Sequence, residues 1–350
     1  MKRLLMLMVV ISVVLSAVVV FGAEKKKKAI KAEKITLACS YRNAVDEYWL
    51  HWDSGAKNAS EALGAAYLGL SADDDEAKQV ADLEVAITRG VKSLTIMPAT
   101  AGALGSLVEL CESKKVFVVS MWDRPASLTP DKYKYWVAHI TMDTIKQGYT
   151  PAKVLFDKMG GKGNIVAFEG KPGTGSAEDR FEGLNQALKE YPGIKLLAHQ
   201  TANYTRVDAV KVMEDFLSAY GESIDGIWAA NDDMAIGAIE VLKPAGLAGG
   251  KIQIVGVNAI KEAIKAIMDG DMYATVSGEP WDMSGLGICY AYNALQGNML
   301  PEKKQILVLP SPVVDASNAK AYYQSHFEGT RTADWKKKVE EVAQAIKAAQ

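Results

Sequence analysis

The chain is poor in the residues that most catalytic and metal chemistry draws on. It has four histidines, His51, His139, His199 and His326, and their spacing matches no metal-ligand pattern. It has three cysteines, Cys39, Cys111 and Cys289, an odd number that leaves at least one unpaired. All three fall in apolar segments, so buried free thiols are the expectation, with one disulfide of unassigned pairing as the alternative. No Gly-x-Ser-x-Gly elbow occurs. The glycine-rich stretch Gly170–Gly175 lacks the third glycine of a dinucleotide loop, and Gly160-Gly161-Lys162-Gly163 lacks phosphate-loop spacing. These absences argue against an enzyme and imply no cofactor. The formal charge is −2 with no basic patch, which excludes a nucleic-acid partner. After the first residues no apolar run is long enough to span a bilayer.

The first residues are different. Lys2 and Arg3 precede an apolar run from Leu4 to Val20, and Phe21-Gly22-Ala23 gives way to Glu24 and Lys25–Lys28. This is the build of a secretory signal peptide, assigned to residues 1–23, with cleavage after Gly22 or Ala23 and an uncleaved anchor as the alternative. No cysteine lies near the cut, so a lipoprotein anchor is not expected.

From residue 34 onward, apolar runs of strand length alternate with helix-period segments. Expected strands are Ile35–Ser40, Ala66–Ser71, Ser93–Met97, Val116–Met121, Val137–Met142 and Asn164–Glu169. Lys195–Thr201, Gly226–Ala230, Ile252–Val257, Tyr273–Ser277 and Gln305–Leu309 follow. The runs are nearly continuous rather than alternating, as in parallel sheets covered on both faces. The fold class is α/β, with two sheets of about six strands each. The expected lobes are residues 34–140 plus 281–309 and residues 141–280 plus 310–328, with a helical extension over 329–350. Asp123–Trp136, Gly278-Glu279-Pro280 and Pro310-Ser311-Pro312 read as connections between them, together forming a hinge. In the last segment Asp334 caps a helix whose apolar face is Val339, Val342, Ala343 and Ile346.

The candidate binding residues share one position, the junction between a strand end and the next helix, where open α/β sheets bind ligands. Asp46, Tyr48 and Trp49 follow the first strand; Trp122, Asp123 and Arg124 end the fourth. Glu178 opens the helix after the Gly170–Gly175 loop, and Tyr204 begins the next. Asn231 precedes Asp232 and Asp233, and Asn258 ends Ile252–Val257. Aromatic faces suit the C–H face of a sugar, and the polar groups suit its hydroxyls. Asn231 is assigned to the ligand, and Asp232 and Asp233 to capping or the hinge. Asn and Asp also cap helices, the competing reading at each junction.

The residues that carry a family likeness are Asn231–Ala238, Val119–Arg124, Ile165–Gly183, and Ile254-Val255-Gly256 with Ala274-Thr275-Val276. On them, the chain resembles the periplasmic sugar-binding proteins of ABC transporters, the ribose-binding-protein-like type I group, from about Ile35 to Val313. The resemblance implies two Rossmann-like lobes on three hinge strands, a monosaccharide bound between them, and docking of the closed form on a membrane permease. It makes Tyr48 and Trp49 a stacking pair, Asp123 and Arg124 a hydroxyl-binding pair, Tyr204 the opposing aromatic, and Asn231 and Asn258 polar ligands. Departures fall on the polar rim: Glu178 for an arginine, Asn258 for an aspartate, Gly278 for a glutamine and Met97 for an asparagine. They open the ligand to other sugars, polyols, nucleosides or furanone-like signals, and Glu178 beside Asp123 also suits a cationic ligand. Output to a chemoreceptor or sensor is the alternative to transport.

Overall fold

In the computed structural model, residues 35–45, 47–301, 305–328 and 334–350 are described. The leader over residues 1–23 and Asp46 lie outside them. The first sheet holds β1 (Thr36–Tyr41), β2 (Ala66–Ser71), β3 (Ser93–Ile96), β4 (Phe117–Met121), β5 (Trp136–Met142) and β11 (Ile306–Leu309). Their order is β11-β5-β4-β3-β1-β2, and every pairing is parallel. The second holds β6 (Lys162–Glu169), β7 (Gly193–Thr201), β8 (Gly226–Ala229), β9 (Gln253–Asn258), β10 (Ala274–Ser277) and β12 (Val313–Asp315). Their order is β12-β10-β9-β8-β6-β7, with only β12 antiparallel.

Helices α1 (Glu47–Ala62), α2 (Glu76–Thr88), α3 (Leu104–Lys114), α9 (Pro280–Leu295) and α11 (Trp335–Ala349) cover the first sheet or pack on its helices. Helices α4 (Thr144–Lys158), α5 (Gly175–Glu190), α6 (Arg206–Tyr220), α7 (Asp232–Leu242), α8 (Lys261–Asp269) and α10 (Ala319–Phe327) belong to the second lobe. The central strands are buried on both faces, which explains their unbroken apolar sequences. Trp52 and Trp136 in one lobe and Trp228, Phe156 and Phe168 in the other are fully buried, each worth about 1.5–3 kcal/mol of transfer free energy or more.

Helices α4 and α5 approach too closely for any side chain at their crossing. A Cβ on Gly148 of α4 would collide with the Arg180 carbonyl of α5, and one on Gly183 would collide with the Ile145 carbonyl. This contact holds the first turns of α5 in place.

One expected crossing is corrected. Asp123–Trp136 stays within the first lobe, because the Trp136 indole donates to Ser120 Oγ at 2.8 Å and the Glu112 carboxylate accepts from Tyr135 N at 2.8 Å. The chain leaves only after β5, at Met142–Thr144, where Asp143 caps α4 by accepting from Lys146 N. The other crossings join β10 to α9 and β11 to β12. The C-terminal helix is integral to the first lobe: Trp335 packs 4.9 Å from Trp281, over Gly285. All three cysteines are free and buried.

Candidate ligand-binding cleft

The carboxyl ends of both sheets face each other across a cavity of about 120 Å³. Its aromatic wall is Tyr48 and Trp49 from α1 and Trp122 after β4, with Tyr204 opposite from the second lobe. Tyr48 packs edge-on against Trp49 at 5.0 Å and Trp122 at 6.4 Å, so the rings brace one another. Tyr204 is seated against Gly170, where a Cβ would overlap its ring.

The backbone of this cavity is strained. Of nine described non-glycine residues with positive φ, five line it: Asp74, Trp122, Asn203, Tyr204 and Asn258. Each such conformation costs on the order of 1–3 kcal/mol and is characteristic of functional sites. Asn258, at φ 118°, is the most extreme, and no hydrogen bond holds its side-chain amide among the described residues.

Asp123 stands just behind the first lobe's wall, next to the lining residue Trp122. It is buried, and Oδ1 accepts from Ser176 N across the cleft at 3.0 Å. Oδ2 is buried without a partner, as is the neighbouring Trp122 indole N–H. Burial pushes the Asp123 carboxyl above its ordinary range, against the opposing pull of Arg42, the Ser176 N–H and Arg180. Unpaired buried polar groups of this kind call for a partner.

Arg180 lies between the Trp122 and Tyr204 rings, 5.6 and 6.0 Å from their centroids. Its position is fixed by Gln147 Oε1 at 2.9 Å and the Ala230 carbonyl at 2.7 Å. Arg42 pairs with Asp74 at 3.1 Å, and Lys171 approaches the same carboxylate from the other lobe at 3.7 Å. Asp233 pairs with Arg206 at 3.3 Å. The lining carries Arg42, Lys171 and Arg180 against Asp74 and Asp233, with the buried Asp123 directly behind it. Among the described residues, the lining contains no histidine or cysteine.

Three sequence expectations are corrected. Arg124 turns away: its guanidinium donates to the carbonyls of Pro125, Ala126 and Leu128 and closes its own loop. Glu178 is exposed on α5, away from the cavity. Two residues along a helix are about 200° apart, so Glu178 faces out while Arg180 faces in. Asn231, not the aspartates after it, caps α7: Oδ1 accepts from Met234 N, and Nδ2 donates to the Tyr204 carbonyl. It still lines the cavity. Asp232 is fully buried beneath, accepting from Thr275 Oγ1 at 2.7 Å and Ile260 N at 3.0 Å, and burial pushes its carboxyl up to about 7. Those bonds fix the loop that carries Asn258.

Arg42, Asp74, Lys171 and Ser176 were not assigned from sequence, and Arg180 and Asn203, which stand at the same strand–helix junctions as Glu178 and Tyr204, were passed over for those neighbours. The spacing of Ser176, Arg180, Gly183 and Ala187, all buried on one face of α5, is the signal that could have found two of them.

Both lobes contribute to one cavity, and the chain crosses between them three times. That arrangement defines a two-lobed solute-binding receptor. The chain belongs to the periplasmic binding protein domain family, matched over residues 37–299, a family of receptors rather than catalysts. It is 35% identical over 205 residues to a xylitol-binding protein of Mycolicibacterium smegmatis, spanning 59% of this chain and 56% of that protein. It is 30% identical over 268 residues to a ribose import binding protein of Haemophilus influenzae, covering 77% of this chain and 88% of that protein. The crystal structure of an ABC transporter periplasmic solute-binding protein from Actinobacillus succinogenes with bound D-allose superposes with a TM-score of 0.76 at 27% identity, covering 83% of this chain and all of that one.

Proposed function

We propose that this chain is the exported receptor of an ABC import system, taking one neutral monosaccharide or polyol into the cleft and delivering it to a membrane permease. The observation that carries this reading is the pairing of an aromatic wall with uncommitted polar groups: Asp123 Oδ2, the Asn258 amide and the remaining Arg180 N–H groups. A hydroxyl both donates and accepts, so it can bridge a carboxylate and a guanidinium at once. With the buried Asp123 behind the wall counted, the charges around the cleft balance, which favours a neutral ligand over a cation or an acid. Relatives named for xylitol and ribose, and a structural neighbour holding D-allose, share only their many hydroxyls and lack of charge. The relatives' periplasmic setting, with the signal-peptide pattern of residues 1–23, supports export of this chain.

The binding groups come from both lobes, so ligand stabilises the closed arrangement by contacts that separated lobes cannot make. Protein contacts span the closed cleft as well, among them Asp123 to Ser176 N, Glu47 Oε1 to Lys261 N at 3.1 Å and Lys171 to Asp74 at 3.7 Å. A thermal-shift screen of pentoses, hexoses, pentitols, inositols, amino sugars, sugar acids and nucleosides tests the reading. Ligand at a hundredfold its Kd stabilises by about 2.7 kcal/mol, so a clear rise in Tm is expected with one or a few neutral sugars or polyols. A rise confined to nucleosides or charged compounds, or none at all, overturns it.

A further inference from the structure

The hinge carries a cluster of side chains that the cleft does not use. Glu279 sits in the crossing between β10 and α9, with left-handed backbone at φ 40°. Asp282 is in the first turn of α9, which packs on the first lobe. His326 is at the end of α10, which packs on α8 in the second lobe. One ligand atom from each residue lies within 4.8 Å of the other two. The three therefore bring together the crossing and both lobes.

Hydrogen bonds around the cluster aim its lone pairs inward. His326 Nδ1 lies 2.9 Å from the Tyr322 carbonyl, which can only accept. Ser325 Oγ lies 2.6 Å from the same nitrogen; in the tautomer with the ring proton on Nδ1, both oxygens accept from it and Nε2 presents a lone pair. The His326 ring stacks on Tyr322 at 3.7 Å and 6°, which fixes its plane. Glu279 Oε1 accepts from Ser277 Oγ at 2.7 Å and Tyr322 Oη at 3.2 Å, while Oε2 faces His326 Nε2 at 3.4 Å. A histidine whose far nitrogen is tied to a backbone carbonyl, beside a Glu279 carboxylate held by its own donors, is the outer-shell arrangement of a metal ligand set.

We propose that Glu279, Asp282 and His326 bind a divalent transition metal ion of the Zn²⁺ type, linking the hinge crossing to both lobes. Two carboxylates neutralise the ion's charge, and water completes the coordination. An imidazole among the ligands favours Zn²⁺ over Ca²⁺ or Mg²⁺, which take all-oxygen sets. The 3.4 Å between His326 Nε2 and Glu279 Oε2 is the spacing taken up by two ligands about 2.0–2.2 Å from a tetrahedral ion.

The test is a calorimetric titration of the full chain with Zn²⁺ after chelator treatment, with native mass spectrometry to count bound ions. One Zn²⁺ per chain is expected, with affinity at least tenfold weaker in both His326→Gln and Asp282→Asn. Circular dichroism checks that the variants are folded. His51→Gln, at the separate His51–Glu47 pair, is expected to bind as the parent does. Absence of binding in the parent, or undiminished binding in both folded hinge variants, overturns the proposal. No sugar is used in the titration, so its failure leaves the reading of the cleft untouched.

Discussion

Asp123→Asn separates what this residue does for the ligand from what it costs the fold. The amide keeps an oxygen for the Ser176 N–H and puts an NH2 group where Oδ2 stands unpaired. A ligand hydroxyl that donates to the carboxylate then meets a donor. Loss of one hydrogen bond to a charged group costs about 1.5–3 kcal/mol, or roughly a 10- to 150-fold rise in Kd. The ligand-free protein responds in the opposite direction. Burial is the largest influence on the Asp123 carboxyl and raises its pKa in the folded state. The folded state then binds more protons than the unfolded one, so stability falls as pH climbs from about 3.9, the ordinary aspartate value, through the raised folded value. The deficit persists at neutral pH, and the amide removes it. Titration calorimetry with the best ligand from the thermal screen, and chemical denaturation without ligand, measure the two effects. Weaker binding with equal or greater ligand-free stability is expected. Binding within twofold of the parent, or a ligand-free protein destabilised by more than 1 kcal/mol, refutes the assignment.

Gly148→Ala drives a methyl into the Arg180 carbonyl; overpacking of about 1–3 kcal/mol is expected in denaturation, with weaker ligand binding because Arg180 moves. Glu47→Gln loses the charge that receives Lys261 N across the cleft; about 0.5–1 kcal/mol weaker ligand binding through faster dissociation is expected by stopped-flow, with ligand-free stability little changed. Asp232, pushed up to about 7 by burial, makes the parent lose stability as pH rises from about 4 to 7; Asp232→Asn is expected to flatten that slope by a few kcal/mol at most, measured by denaturation at a series of pH values. The three thiols are buried and pushed up to about 12, so iodoacetamide at pH 8 is expected to label none in the native protein and three after unfolding.

The strands were legible because parallel sheets buried on both faces demand unbroken apolar runs, and the eleven expected strands are all present. The twelfth, Val313–Asp315, is three residues long beside a proline-rich crossing, too short to give a pattern. Asp123–Trp136 looked like a linker by composition, but one buried indole and one carboxylate tie it to its own lobe. At the site, the aromatic wall was readable from the strand-end positions of Tyr48, Trp49, Trp122 and Tyr204. The cationic side was not. Choosing Arg180 over Glu178 requires knowing where α5 starts, because a shift of two residues reverses the face. Arg42, Asp74 and Lys171 meet through loops from both lobes, a proximity that only the folded chain creates. Arg124 was misplaced because neighbouring residues in a loop point apart, and three carbonyls claim its guanidinium.

The central claim is that one hydroxyl-rich ligand is held by both lobes at once. A crystal structure of the protein with the best ligand from the thermal screen tests it most directly. The account predicts one molecule in the cleft, its apolar face on the aromatic wall, with hydroxyls on Asp123 Oδ2 from the first lobe and on Arg180 and Asn258 from the second. A ligand bound outside the cleft, or touching only one lobe, would contradict it.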